Sequence, residues 1–168
     1  METSQAIRTR RSIRKYQPAD VPQAHIMSML EAAMRSPSAC NTMPWEFFVV
    51  RNRELKRRFV EVSPYCRQVL QAPVCIVVCA RPDLQEAKCS PYWQQDCGAA
   101  IENLLLAATD LGYGACWCGL YPSKGRAEAV QAILGCQCLP IAFITVGLPD
   151  EVPALEKKLP WERVHELP

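Results

Sequence analysis

The apolar stretch at residues 74–79 constrains the fold more than any other part of the sequence. It is almost wholly hydrophobic and rich in β-branched side chains. A run of this length and composition predicts a strand that other elements cover on both faces. The apolar run around it contains Pro73 and is much shorter than the roughly 20 residues that a membrane-spanning helix needs. The sequence therefore predicts a buried central strand and no membrane partner.

Helices and strands are predicted to alternate on both sides of this strand. A short helix is predicted near Thr3 and Ser4, and a proline-punctuated extended tail follows Gly147. The other predicted helices are one from Val21 to just before Ser36, 53–62 capped by Asn52, 90–111, and one between Ser123 and Gly135. The other predicted strands are 45–50, 115–118 and 140–146. This order predicts an α/β or α+β layered domain in which helices cover a sheet.

Length and charge exclude several classes of protein. The 168 residues fit one domain, and 19 Lys and Arg against 17 Asp and Glu leave a net charge of +2. So small a surplus argues against nucleic-acid or membrane binding by bulk charge. The first dozen residues carry no apolar segment of the kind that a secretory signal needs. We therefore expect a cytoplasmic protein that binds any anion through a local cluster of positive charge.

Ten cysteines are unusual for a chain of this length. In a reducing compartment they are expected to be free and mostly buried, where an unpaired thiol packs as a small hydrophobe. Cys75 and Cys79 fall on one face of the predicted central strand, which favours core packing. Cys116 and Cys118, and Cys136 and Cys138, form two close pairs. Structural zinc sites usually leave more residues between paired cysteines, so no metal site is predicted.

Three segments carry candidate functional residues. Residues 10–14 place three guanidinium groups and a hydroxyl together, a set that suits a phosphomonoester. Residues 36–45 form a polar loop pinned by prolines between a helix and a strand, where ligand contacts are common. Residues 111–119 contain glycines that let the backbone approach a flat ligand closely, without the dinucleotide-binding order of glycines.

Taken together, these motifs resemble the FMN-dependent nitroreductase family, and the chain is similar to its short, single-domain members. The resemblance covers nearly the whole chain and rests on the order and spacing of four motifs. They are Arg10-Arg11-Ser12-Ile13-Arg14, Ser36-Pro37-Ser38-Ala39-Cys40-Asn41 with Pro44-Trp45, Gly112-Tyr113-Gly114-Ala115-Cys116-Trp117-Cys118-Gly119, and the late segment 144–149.

The resemblance implies an α+β fold, with a layered α/β/α arrangement around a central, mostly antiparallel sheet. Residues 1–168 then form a single FMN-binding domain, and residues from about 148 to 168 form an extended tail that packs on a partner subunit. The implied assembly is a homodimer with its FMN sites at the subunit interface. The alanine-rich helix predicted at residues 91–111 is consistent with that interface.

The resemblance also assigns roles to individual positions, all of them in cofactor binding. Flavin N5 is the reactive atom, so no side chain is assigned as catalytic. In this resemblance Arg10, Arg11 and Ser12 bind the FMN phosphate, Lys158 returns to the same phosphate, and Arg14 lies beside flavin N1 and O2. Pro37, Ser38 and Asn41 reach the flavin from the partner subunit. Gly119, with Cys118 before it, places a backbone amide opposite flavin N5. Met43 departs from the family, which commonly has Gln there, and this leaves the substrate range open.

The function implied is reduction of nitroaromatic or quinone-like acceptors by NAD(P)H through FMN. The mechanism would be ping-pong, with the nicotinamide leaving before the acceptor binds, because the cofactor carries the hydride chemistry. Two alternatives stay open at this point. One is a flavoprotein of the same fold with another reaction, such as reductive dehalogenation or flavin fragmentation. The other is a non-enzymatic, cysteine-rich metal-binding domain.

Overall fold

The computed structural model describes residues 1–90, 92–154 and 159–167. Its helices are α1 (Thr3–Thr9), α2 (Gln23–Met34), α3 (Arg53–Val62), α4 (Gln68–Gln71), α5 (Trp93–Asp110) and α6 (Lys124–Leu134). Its strands are β1 (Trp45–Val50), β2 (Val74–Ala80), β3 (Gly114–Gly119) and β4 (Leu139–Gly147). Short 3₁₀ turns lie at Ala39–Asn41, Pro64–Cys66, Pro82–Leu84, Ala87–Cys89 and Trp161–Arg163.

The four strands form one antiparallel sheet in the order β1-β2-β4-β3. β2 lies inside the sheet and is buried along its whole length, as its composition predicts. The pairing of β2 with β4 shifts register between Val78 and Cys79, so that Cys79 lies opposite Pro140. β3 is an edge strand, because only one of its sides pairs with another strand of the sheet.

Alternate residues of β2 enter two separate cores, one on each face of the sheet. Ile76 and Val78 pack with the helices α2 and α5, whereas Cys75 and Val77 pack with α3 and α6. The period of two in a strand produces this division. Phe59 of α3 stacks on Phe143 of β4 with ring centroids 4.8 Å apart, which fixes the second layer. The molecule therefore has the α+β, layered α/β/α fold that the resemblance implies.

The predicted bounds of helices agree with the structure where a local capping residue sets them. Asn52 accepts a hydrogen bond from the Leu55 amide at 3.0 Å and starts α3. Gly135 ends α6 in the left-handed region, at φ +64°. The helix predicted to begin at Ser90 instead begins at Trp93, because the Trp93 amide donates to the Gln85 side chain at 3.1 Å. A residue eight positions upstream thus supplies the cap, which the local sequence does not indicate.

The expectation that all ten cysteines are free is wrong for one pair. Cys40 and Cys89 form a disulfide bond, and their Cα atoms lie 6.5 Å apart. The two residues are separated by 49 positions, and only the fold brings their loops together. The other cysteines are free, and all of them except the half-buried Cys136 are buried. Cys75 and Cys79 lie on the same face of β2 and pack in the core, as predicted.

The chain after β4 first returns to the segment before α2 and then runs over the surface. Tyr16 forms an antiparallel bridge with Pro149, and the Asp150 amide donates to the Lys15 carbonyl at 3.0 Å. Beyond this point the tail exposes large apolar side chains, namely Val152, Leu159, Trp161, Val164 and Leu167. Within the described residues, none of the helices combines the length and the apolar character that crossing a bilayer requires.

Candidate functional site

Residues 10–14 lie against the outer edge of β3. Ser12 forms a parallel bridge with Ala115, and the Ile13 amide donates to the Ala115 carbonyl at 3.0 Å. The buried Ile13 side chain lies directly over Gly114, where an added Cβ would come within 2.6 Å of it. Only glycine permits this approach. The arginine-rich segment is thus held at the start of β3 by backbone pairing and close packing.

Tyr16, just after this segment, holds its backbone in place through the phenol hydroxyl. Its hydroxyl donates to the Ile13 carbonyl at 2.5 Å and lies 2.6 Å from Thr145 Oγ1 in β4. Burial raises the pKa of Tyr16 well above its ordinary value. The phenol therefore stays protonated and continues to donate at any physiological pH, which keeps the backbone of residues 13–16 in place.

Two of the three guanidinium groups have no carboxylate partner among the described residues. Arg10 pairs with Glu102 of α5 at 3.2 Å. Arg11 donates to the backbone carbonyls of Arg8 and Arg10, at 2.9 and 2.5 Å, and Arg14 makes one long contact of 3.4 Å to the Ser12 carbonyl. The positive charges of Arg11 and Arg14 are therefore not neutralised within this part of the protein.

Glu151 fixes the backbone beside Arg14, a contact that the sequence analysis missed. One of its carboxylate oxygens accepts from the Arg14 amide at 2.5 Å and from the Lys15 amide at 3.2 Å. This carboxylate binds main-chain donors and leaves the Arg14 guanidinium free of an ion pair within the described residues. The sequence offers no local signal for the contact, because Glu151 lies 137 positions from Arg14.

The Gly119 amide points away from the sheet, toward the open edge. In an antiparallel strand the N–H and C=O of one residue point to the same side, and those of the next residue point to the other. The Ala115 carbonyl points outward to Ile13, whereas the Leu120 amide points inward to Ile141 of β4 at 2.8 Å. Counting by twos from Ala115, the amides of Trp117 and Gly119 point outward. Among the described residues, the Gly119 amide thus has no backbone acceptor, and it lies at the far end of β3.

A pocket of about 250 Å³ has Gly119 in its lining. Its lining residues are Trp93, Gln94, Trp117, Gly119, Tyr121, Pro122 and Ile141. An added Cβ at Gly119 would meet nothing closer than the Tyr121 carbonyl at 3.8 Å, so the strand surface is open there. Aromatic side chains around one open glycine backbone suit a planar, largely apolar ring.

The loop between α2 and β1 is held in an unusual backbone conformation. Cys40, Asn41 and Met43 all have positive φ angles, of 53°, 54° and 47°. Each such residue costs about 1 to 3 kcal/mol unless the surroundings enforce it, and such residues cluster at functional sites. Ser38 Oγ accepts from the Met43 amide at 3.0 Å and closes the loop on itself. Pro37 and Asn41 are exposed on its surface.

Two long-range contacts attach this loop to the region before α5. The disulfide joins Cys40 to Cys89, and the buried carboxylate of Asp96 accepts from the Ala39 amide at 3.0 Å. Asp96 lies one turn after Trp93, which lines the pocket. The sequence analysis missed Asp96, although an acidic residue inside a mainly apolar helix was a signal that could have found it.

The sequence-predicted site residues fall into two places in one chain. Arg10, Arg11, Ser12 and Arg14 lie at the Ala115 end of β3, and Gly119 lies four residues along the strand, about 13 Å away at the usual rise. Pro37, Ser38 and Asn41 lie on the loop beside α5, and no hydrogen bond within the described residues joins them to Arg10–Arg14. Lys158 lies outside the described residues.

The Cys118 side chain points to the face of the sheet opposite the pocket. It packs in the core formed with α3 and α6, where the Gln68 amide lies 2.9 Å from its sulfur. A hydrogen bond from Cys118 lowers the pKa of Cys66 to about 6 and that of Cys116 to about 7, and the Arg14 charge contributes to the latter. The Cys118 side chain therefore does not line the pocket.

Comparisons with known proteins agree with this arrangement. The model of the Nitroreductase family matches residues 7–68 and 64–148. A protein of Methanothermobacter thermautotrophicus named "Putative NADH dehydrogenase/NAD(P)H nitroreductase" is 43% identical over 167 residues, which cover 98% of this chain and 86% of that protein. A crystal structure of a Parabacteroides distasonis protein with the same name has a TM-score of 0.92 at 33% identity, covering 98% and 96% of the two chains.

A further solved structure contains a flavin. It is described as a "putative nitroreductase in complex with fmn" from Desulfovibrio desulfuricans. It superimposes with a TM-score of 0.88 at 29% identity and covers 100% of this chain and 98% of that one. The similarity extends over all of this chain, so it includes the edge of β3 and the loop before β1.

Proposed function

Because this chain belongs to the nitroreductase family, we propose that it is an FMN-dependent oxidoreductase that uses NAD(P)H to reduce nitroaromatic or quinone-like acceptors. The observation that carries the proposal is the open outer edge of β3. At one end of this edge lies arginine charge that has no carboxylate partner among the described residues, and at the other end lies the outward-pointing amide of Gly119, a residue that also lines an aromatic pocket. An anionic tail and a flat ring on one ligand match this arrangement.

The chemistry of the donors fits the phosphate of FMN. Guanidinium groups bind phosphate oxygens bidentately, and Arg11 has no competing carboxylate within the described part of the chain. We assign Arg10, Arg11 and Ser12 to the phosphate. Arg10 keeps its ion pair with Glu102, which orients it on α5. Lys158 is proposed as a further phosphate ligand.

The other end of the site fits the flavin ring. We assign the Gly119 amide to flavin N5 and the Arg14 guanidinium to the N1 and O2 edge. A fixed cation beside N1 stabilises the negative charge that a reduced flavin carries there, and so raises its reduction potential. Glu151 and Tyr16 hold the backbone on either side of Arg14, so that its cation stays in place.

Bound FMN supplies the hydride chemistry, taking up hydride equivalents at N5 and passing them on. The protein supplies position and exclusion of water. The walls formed by Trp93, Trp117 and Tyr121 accept flat partners, first the nicotinamide and then the acceptor, on the same open face. Sharing one face requires that the first partner leaves before the second binds, which is a ping-pong mechanism. No side chain of the pocket is needed as a proton donor.

The active assembly is proposed to be a homodimer whose sites combine both chains. The tail exposes Trp161 by 72% and Leu167 by 89% in the single chain, more apolar surface than a solvated tail normally presents. Packing these side chains on a partner would bury them. Pro37, Ser38 and Asn41 would then reach the FMN of the other subunit. A cytoplasmic location stays a prediction of the sequence.

Spectroscopy and kinetics test the proposed reaction. Purified protein reconstituted with FMN should be yellow with one flavin per chain, and anaerobic NADH or NADPH should bleach it. Adding a nitroaromatic or a quinone should restore the colour. Steady-state double-reciprocal plots should give parallel lines. Intersecting lines, or a flavin that neither nicotinamide reduces, would contradict the proposal.

Arg14→Ala tests the assigned cation. Loss of a hydrogen bond to a charged group costs about 1.5 to 3 kcal/mol, so FMN should bind about 10- to 100-fold more weakly or show a lower reduction potential. Arg14→Lys should restore part of the loss. Arg57→Ala is the matched control, because Arg57 is exposed on α3 and pairs with Glu54. Unchanged affinity together with unchanged potential in Arg14→Ala would remove this residue from the site.

Sedimentation tests the assembly. The protein should sediment at twice the chain mass of 18.9 kDa. Trp161→Glu should shift it toward the monomer and weaken FMN binding at the same time, because the site combines residues of both chains. A monomer that binds FMN stoichiometrically would refute the shared site.

A further inference from the structure

Three cysteines converge on the face of the sheet opposite the pocket. Cys79 comes from β2, and Cys136 and Cys138 come from the loop between α6 and β4. Their sulfur atoms all lie within 4.8 Å of one another. Among the residues that the structure describes, no other three potential metal ligands lie this close together. Cys79 and Cys138 are buried and Cys136 is half-buried, so the group is reached from solvent on one side.

A helix end, a side-chain anchor and a register shift in the sheet hold these three sulfurs together. Gly135, in the left-handed conformation, turns the chain out of α6 just before Cys136. The Gln131 side chain then donates to the Cys138 carbonyl at 3.1 Å and anchors the loop to the helix. The register shift at Cys79 lies at the same end of the sheet, where β4 begins.

The number of sulfurs and the distances between them indicate which metal ion the group could bind. Thiolates are soft ligands that select Cu(I) and Zn. Metal–sulfur bonds of about 2.3 Å put three sulfurs around one ion about 4 Å apart, within the spacing of this group. Structural zinc sites are almost always closed by four protein ligands, and this group supplies three among the described residues. We propose that Cys79, Cys136 and Cys138 form a three-coordinate thiolate site for Cu(I).

A carboxylate beside the group is already paired with a cation. Glu46 lies opposite Cys79 in the pairing of β1 with β2, and directly opposite residues share one face of a sheet. The Glu46 carboxylate pairs with Arg81 at 3.2 Å. The Arg81 guanidinium therefore offsets the charge of this carboxylate next to the three sulfurs.

Binding is a ligand exchange without electron transfer. One Cu(I) ion forms three Cu–S bonds and displaces three thiol protons to solvent, which leaves a complex of net charge −2. Because protons compete with the metal, the affinity should rise with pH. The site lies on the opposite face of the sheet from the flavin pocket and does not depend on the proposed function.

Competition with a copper chelator tests the site in the full-length protein as purified. Ascorbate keeps copper monovalent under anaerobic conditions, and bicinchoninate competes for the ion. One Cu(I) per chain should resist the chelator, and X-ray absorption should show three sulfur neighbours. Cys136→Ser should lower the affinity at least about 100-fold, since loss of an outer-shell partner alone costs about 10- to 100-fold. Its half-exposed position makes this the variant that is easiest to fold.

The matched control is Cys66→Ser, which removes a buried thiol that is not one of the three proposed ligands and should keep the wild-type copper affinity. Cys138→Ser is a second test of the same site and should reproduce the effect of Cys136→Ser. Circular dichroism verifies that each variant is folded. The proposal is overturned if the wild-type protein yields its copper to bicinchoninate. It is also overturned if Cys136→Ser binds Cu(I) as tightly as wild type, or if Cys66→Ser lowers the Cu(I) affinity. A zinc ion bound more tightly than Cu(I) through the same cysteines would also overturn it.

Discussion

The backbone amide of Ala39 donates a hydrogen bond to the buried carboxylate of Asp96 at 3.0 Å, across 57 positions of sequence. The other carboxylate oxygen accepts from the Gln85 side chain at 2.9 Å. One side chain thereby joins the strained loop before β1, the segment before α5, and the start of α5 itself. The oxygen of the same Gln85 side chain accepts a hydrogen bond from the Trp93 amide at 3.1 Å. Since Trp93 lines the pocket, the loop and one wall of the pocket are positioned together.

Asp96→Ala should destabilise the protein and loosen the loop. The change leaves two donors, the Ala39 amide and the Gln85 side chain, without their acceptor. An unsatisfied buried group costs about 1 to 3 kcal/mol, so the free energy of unfolding in urea should fall by about 2 kcal/mol or more. Asp96→Asn keeps one acceptor oxygen and should lose less. Equal stability of Asp96→Ala and wild type would show that the contact does not hold the loop.

Reduction of the disulfide should lower the stability of the protein. Cys40 and Cys89 close a loop with a sequence separation of 49, and chain-entropy reasoning gives about 4 kcal/mol for a loop of that length. The melting temperature should therefore fall in dithiothreitol. The double variant Cys40→Ser with Cys89→Ser should melt at the reduced temperature with or without the reagent. A melting temperature that dithiothreitol leaves unchanged in the wild type would mean that this bond contributes nothing.

Two glycines of β3 should respond in opposite ways to replacement by alanine. Gly119→Ala should fold normally, since its methyl group meets no atom closer than 3.8 Å, but the methyl would occupy the pocket and weaken FMN binding about 10-fold or more. Gly114→Ala should destabilise the fold by about 1 to 3 kcal/mol through its clash with Ile13. Thermal melts and FMN titration separate the two effects. Wild-type FMN affinity in Gly119→Ala would place the ring elsewhere.

Stability should decline at alkaline pH, in part because of Tyr16. Its pKa is raised in the folded state by burial, so the unfolded chain loses this proton first and is favoured as the pH rises above about 10. Buried Cys97, whose pKa is raised to about 12, adds a decline that begins nearer pH 9.

Urea unfolding at a series of pH values isolates the Tyr16 contribution. Tyr16→Phe should flatten the decline above about pH 10 and lose about 1 kcal/mol at neutral pH with its hydrogen bonds. Thr145→Val keeps the phenol and should retain the alkaline decline. An identical pH profile in Tyr16→Phe and wild type would show that this group is not responsible.

Features that depend on neighbours in the chain were predictable from the sequence. The bounds of β1 and α3 agree with the structure, because a β-rich run and an Asn52 cap are local signals. The buried character of β2 follows from its composition alone. The order of motifs was enough to identify the family, and with it the α+β layering.

Only the tertiary structure decided which distant groups meet. The Cys40–Cys89 bond, the anchor at Asp96 and the convergence of Cys79 with Cys136 and Cys138 join positions far apart in sequence. The outward direction of the Gly119 amide depends on the register of β3 against β4 and on the docking of Ile13. Sequence patterns report the local period and burial of an element, whereas pairing across the fold is fixed by packing between elements, which no local pattern encodes.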